Sequence, residues 1–73
     1  ADASIRAALL DGDERIDEAL EPARNTYVHV ARGRVSVNGQ ALEAGDAARL
    51  QGEPRLALSG GQGAEVLVFD LAD

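Results

Sequence analysis

Apolar and polar residues alternate with a period of two along most of this chain, which is the signature of half-buried β-strands. Ser4 to Leu10 sets Ile5, Ala7 and Leu9 on one face and predicts a first strand contributing core material. Tyr27 to Ala31 sets Val28 and Val30 against Tyr27, His29 and Ala31, and Arg34 to Asn38 sets Val35 and Val37 inside. Ala41 to Glu43, Ala47 to Leu50, and Leu56 with Leu58 continue the rhythm. The last run, Glu65 to Leu71, breaks it: Val66 and Val68 point one way, and Leu67, Phe69 and Leu71 the other. A strand apolar on both sides is covered on both sides. Its outer face therefore expects a cover, from another part of this chain or from a partner.

Turn signals separate these runs. Asn38-Gly39 is the strongest of them, because a two-residue type I′ turn needs positive φ at both central positions. Asp11-Gly12-Asp13, Gly45-Asp46 and Gln51-Gly52-Glu53-Pro54 mark further turns, and Gly60-Gly61-Gln62-Gly63 reads as a flexible loop. Residues 14–21 fit two templates. Ile16 and Leu20 behind an Asp13 N-cap suit a short helix, whereas Ile16, Glu18 and Leu20 suit a strand, which the surrounding rhythm and Pro22 favour. Turns every 6–12 residues or so predict an all-β sandwich or small barrel.

Composition narrows this picture. Seventy-three residues form at most one domain, and a chain of that size buries only about 60% of its unfolded surface. It has no Cys, so neither disulfides nor a thiolate metal site can reinforce it. Packing against another domain or subunit is the remedy left open. Tyr27 and Phe69 are the only aromatics, which leaves the core to Val, Leu, Ile and Ala. The net charge of −6 comes from seven scattered Arg, no Lys and thirteen acids. Nucleic acid and anionic membrane surfaces require a basic face and are therefore not expected as partners. No apolar run reaches membrane-spanning length and there is no signal-peptide pattern, so the cytoplasm is the expected compartment. Met is absent, and core-like residues begin at Ile5 without a lead-in, which suggests a piece of a longer protein.

Candidate chemistry is sparse. His29 is the only imidazole, whereas a mononuclear catalytic metal generally takes about three protein ligands. It reads as a partly buried strand histidine. A Ser-His-Asp arrangement would need Ser4, Ser36 or Ser59 beside it, and no nucleophile-elbow motif supports one. Asp11-Gly12-Asp13-Glu14 opens like a calcium loop but continues with Arg15, Ile16 and Pro22 where ligand, Gly and terminal Glu belong. Gly60-Gly61-Gln62-Gly63 lacks the Lys-Ser/Thr of a phosphate loop. Asp17 and Glu18 are sequence neighbours that face apart on a strand.

The order of these phrases carries more than any one of them. Tyr27-Val28-His29-Val30-Ala31-Arg32-Gly33, Val35-Ser36-Val37-Asn38-Gly39, Leu42-Glu43-Ala44-Gly45-Asp46-Ala47 and Ala64-Glu65-Val66-Leu67-Val68-Phe69-Asp70-Leu71 resemble the C-terminal cupin of pirin-like bicupins, the family that includes bacterial quercetin 2,3-dioxygenases. The Asp11 to Glu14 turn matches the same half, and the resemblance covers essentially residues 1–73. It implies a small cupin-type β-barrel. A metal-binding cupin carries a His-x-His pair and a Glu before the Val-x-x-Gly hairpin, then a His after the Gly-Asp turn. On this chain those positions fall near Leu20, Pro22, Thr26 and Arg55, and none is a usual ligand. No catalytic, cofactor or metal residue is therefore transferred.

In this family metal and dioxygenase activity go with the N-terminal cupin. The resemblance thus implies a catalytically silent C-terminal half that packs against an N-terminal cupin holding a divalent metal. Its partner would be that domain or another copy of this chain. Two other roles remain open: a free-standing cupin that pockets a small molecule, and an interaction module of a regulatory pirin. An open, polar-lined mouth favours a ligand, and a filled interior counts against one.

Overall fold

The computed structural model describes residues 3–21 and 23–71. Within them every regular element is a strand: β1 (Ala3–Leu10), β2 (Ile16–Ala19), β3 (Asn25–Val37), β4 (Gln40–Glu43), β5 (Ala47–Gln51) and β6 (Arg55–Leu71). The two-way reading of residues 14–21 resolves to strand. Ile16 and Glu18 are half-buried opposite Leu58 and Leu56, while Asp17 and Ala19 are exposed, so burial follows a period of two.

The long strands β3 and β6 pair antiparallel and form the spine. The first half of β3 is flanked by β5 and the second half by β4; the second half of β6 is flanked by β1 and the first half by β2. This gives two layers, β1–β6–β3–β5 and β2–β6–β3–β4, which share the spine. Val28, Val30, Val66 and Val68 of one layer and Val35, Val37, Leu56 and Leu58 of the other meet in a single buried core, closed by Leu10, Leu42, Leu50 and Ala64. Antiparallel pairs link all the strands, but among the described residues no ladder joins β1 to β2 or β4 to β5. The expected barrel is thus a folded sheet with open seams rather than a closed cylinder.

The fold line falls where the sequence predicts breaks. Two strands around Gly33, and a strand ended by a Gly-rich loop, are each replaced by one continuous, bent strand. The β3–β6 register shifts between Val30 and Ser36, so the ladder passes through the bend by bulging. Gly33, at φ +68°, makes the bend possible: a Cβ there would lie 2.3 Å from the Gln62 carbonyl oxygen and 2.5 Å from that of Gly63. Asp11 secures the same place, its Oδ1 accepting the Gly63 N–H at 2.9 Å, and the Gly12 N–H donates to the Gly61 carbonyl at 3.1 Å. The Gly60–Gly63 run is therefore a hinge of the sheet, held on both sides.

The Asn38-Gly39 turn forms as expected, with φ +48° and +85°. Its Asn38 side chain also accepts the Ala57 N–H at 2.7 Å and donates to the Arg55 carbonyl at 2.9 Å, which ties the hairpin to β6. The expectation of core material along Ile5 to Leu10 holds for Leu10 but not for Ile5 or Leu9. In β1 it is Leu10, with half-buried Ala8, that packs inward, while Ile5 and Leu9 lie in the open. Pairing with β6 fixes this: Ala8 stands opposite inward Val66, so Ile5 and Leu9 share the outward parity of Phe69 and Glu65.

Candidate functional site

Leu20 and Thr26, two of the positions near which the resemblance sets a metal-binding cupin's ligands, lie at the end of the sandwich away from the Gly33 hinge. There the chain forms a shallow recess of about 330 Å³, lined by Ser4, Arg6, Glu18, Ala19, Leu20, Glu21, Arg24, Thr26 and Asp70. β1 supplies Ser4 and Arg6, β2 supplies Glu18 and β6 supplies Asp70. Ser4, Asp70, Thr26 and buried Leu50 stand in one cross-strand row on the inner face.

Four of the five charged side chains that line the recess form ion pairs, and the fifth is the exposed Glu21. Arg6 and Glu18 form a bidentate ion pair across the open seam between β1 and β2, with the Arg6 Nη1 to Glu18 Oε2 bond at 3.0 Å. Those hydrogen bonds hold the Glu18 carboxyl below its ordinary value and push the Arg6 guanidinium up, each partly offset by desolvation. Arg24 Nε donates to Asp70 Oδ1 at 2.8 Å in a part-buried pair joining the residues before β3 to the end of β6. Three other arginines follow the same rule: Arg34 bonds Glu43, Arg55 bonds Asp17 and Arg32 lies 3.4 Å from Glu65, whereas the Arg49 guanidinium sits 5.8 Å from the centre of the Tyr27 ring. Five arginines scattered along the sequence are thus matched to carboxylates across the sheets. No local motif announces such pairs, since partners such as Arg24 and Asp70 lie far apart in the chain.

Of the four positions where a metal-holding cupin places its ligands, Leu20 and Thr26 line the recess, and Arg55 lies outside it, bonded to Asp17. Pro22 lies outside the described residues. This donor set does not fit a divalent metal. Leu20 has no donor, Thr26 offers a neutral hydroxyl, Glu18 and Asp70 are each engaged by a guanidinium, and Glu21 alone falls short of the three or so ligands a divalent metal takes. Among the described residues no group of three or more His, Cys, Asp or Glu is placed to hold a metal ion.

His29 is on the opposite face, in an outward row with Ala7, Leu67 and Ala47. Ser4 is on the inner face, and Ser36 pairs with Ser59 beyond the hinge, so none of the three serines is brought to the imidazole. The Asp11 to Glu14 segment is an exposed turn in which Glu14 Oε1 accepts the Asp11 N–H at 3.0 Å. Asp17 and Glu18 face apart, as expected for strand neighbours. Among the described residues no helix is long and apolar enough to cross a membrane.

A folded antiparallel sheet of this order defines a cupin. A cupin protein of Bacteroides fragilis superposes on 96% of the chain with a TM-score of 0.64 at 15% identity, a likeness of fold alone that covers 64% of that structure. The family follows from the sequence model of the quercetinase C-terminal cupin domain, which matches residues 1–71: the chain belongs to this family of pirin-type C-terminal cupins. A Pseudomonas aeruginosa protein named putative quercetin 2,3-dioxygenase PA1210 is 35% identical over 72 residues, 99% of this chain and 31% of that protein. The Escherichia coli bacterial pirin YhhW, solved in complex with nickel(II), superposes with a TM-score of 0.91 at 25% identity over 97% of this chain and 31% of its own. The chain therefore spans about a third of the length of these relatives.

Proposed function

We propose that this chain is the non-catalytic, metal-free C-terminal cupin of a pirin-like quercetin 2,3-dioxygenase, and that it packs against and supports an N-terminal cupin which holds the metal. One observation carries the reading: the family's ligand positions in the recess hold Leu20 and Thr26, and two of the three carboxylates beside them, Glu18 and Asp70, are bonded to Arg6 and Arg24, which leaves Glu21 alone. Relatives three times as long, one of them a nickel-bound pirin, support assigning the metal to the part of the polypeptide this chain does not span. The packed interior supports a scaffold over a ligand pocket, since the side chains that could line a cavity fill it instead.

Metal analysis of the purified chain after incubation with nickel, iron, copper or zinc and desalting tests this directly. The expected content is far below one equivalent, and added quercetin is not consumed. A stoichiometric ion, or quercetin oxidation by this chain alone, overturns the reading. The full polypeptide encoded at the locus is expected to retain metal, and substitutions of His outside residues 1–73 are expected to abolish that retention.

A further inference from the structure

The two layers carry opposite kinds of outer surface. Outside β2–β6–β3–β4 lie Ser36 opposite Ser59 and the ion pairs Arg34–Glu43 and Asp17–Arg55. That is a face finished for water. Outside β1–β6–β3–β5, by contrast, cross-strand pairing lines up Ile5, Phe69 and Tyr27 in one row and Ala7, Leu67 and His29 in the next, with Leu9 beyond. Ile5 is 65% and Leu9 74% exposed, and they are the large apolar side chains left open among the described residues. Charges stand only at the margin of this patch, as Arg49 over Tyr27 on the β5 side and Arg32 with Glu65 toward the hinge. An apolar centre with a charged rim is the anatomy of an interface.

Size selects the occupant. Four strands about 4.8 Å apart and some seven residues at about 3.4 Å each give a flat footprint of roughly 350–450 Å². Counted on both sides, that reaches the lower end of interfaces between domains of one chain, about 600–1,500 Å². It falls well short of the roughly 800 Å² per partner typical of independent proteins that associate stably. A covalent tether supplies the difference, because it presents its partner at an effective concentration on the order of millimolar. From this we infer that the outer face of β1–β6–β3–β5 is the docking surface for the remaining two-thirds of the same polypeptide, with Leu9 and Ile5 buried in the contact and the opposite layer left in solvent. The inference rests on the scaffold reading for the identity of the partner, and adds the surface, its central side chains and its orientation.

The test uses the full polypeptide encoded at the locus. Cysteines are placed singly as Ile5→Cys and Leu9→Cys on the proposed interface and as Ala41→Cys on the exposed opposite layer, and alkylation rates are compared under native and denaturing conditions. Positions 5 and 9 are expected to react at least an order of magnitude more slowly than position 41 in the native protein, and equally fast in denaturant. Hydroxyl-radical footprinting of Ile5, Leu9, Tyr27 and Phe69 in the unsubstituted protein gives the same readout should a variant fail to fold. Labelling at 5 and 9 as fast as at 41 overturns the inference, whether or not this chain holds a metal. Protection that disappears as a dimer dissociates on dilution assigns the face to a second copy and also overturns it, as does a locus that encodes these residues alone.

Discussion

Gly33→Ala is the sharpest test of how this sheet folds over. The new residue would have to adopt φ near +68°, which costs an L-amino acid roughly 1–2 kcal/mol. Its Cβ would also meet two backbone carbonyl oxygens of β6, at 2.3 and 2.5 Å. Neither atom is the end of a flexible side chain, so relief requires β3 and β6 to separate at the hinge. Forcing well-packed structure apart in this way costs about 1–3 kcal/mol more. Gly39→Ala is the matched control. Gly39 sits at φ +85° with no atom within 4 Å of the added carbon, so only the conformational cost applies. At roughly 0.05–0.15 kcal/mol per residue, a chain of this length has only ~4–11 kcal/mol of stability to lose. Urea unfolding followed by far-ultraviolet circular dichroism measures the two losses. With a slope of about 1 kcal/mol per molar, Gly33→Ala is expected to lower the midpoint by ~2–5 M and Gly39→Ala by ~1–2 M. Midpoints that fall equally would refute a steric hinge at Gly33.

Two further outcomes follow from the same structure. Leu58→Ala removes a side chain that is 1% exposed between the two layers and is expected to lower stability by about 2–5 kcal/mol, read in the same urea titration. Glu18→Gln tests the seam pair. Because Arg6 depresses the Glu18 pKa in the folded state, the carboxylate stabilises the fold above its ordinary value, and that contribution disappears as the pH falls through the lowered one. The variant is therefore expected to be less stable than the parent at neutral pH, by under ~1 kcal/mol for so exposed a pair, and the two curves are expected to converge in acid. A gap that widens on acidification would contradict the assigned sign.

How much of this could be read from the sequence depends on whether the signal was local. The Asn38-Gly39 turn was legible because two adjacent residues must both take positive φ, and Val28, Val30, Val35 and Val37 were placed inward by simple alternation. The recess ion pairs were not legible. Arg6 and Glu18 are twelve residues apart, and Arg24 and Asp70 forty-six, so only sheet pairing brings them together.

Strand parity marks the same boundary. Alternation alone shows that Ile5, Ala7 and Leu9 share a face, but either face of β1 can be turned inward without changing that pattern. The register of β1 on β6 decided it, setting Ala8 opposite Val66 in the core and leaving Ile5 and Leu9 outside. Likewise, the glycines at 33 and 60–63 announce a break in the chain. Whether a break ends a strand or folds it depends on whether the neighbouring ladder continues, which here it does, by bulging. The sequence by itself determined an all-β chain and its tight turns, because these depend on residue type and short-range geometry. The tertiary structure alone decided the hinge, the ion pairs and which apolar face remains uncovered, because each of these depends on which distant strand lies alongside.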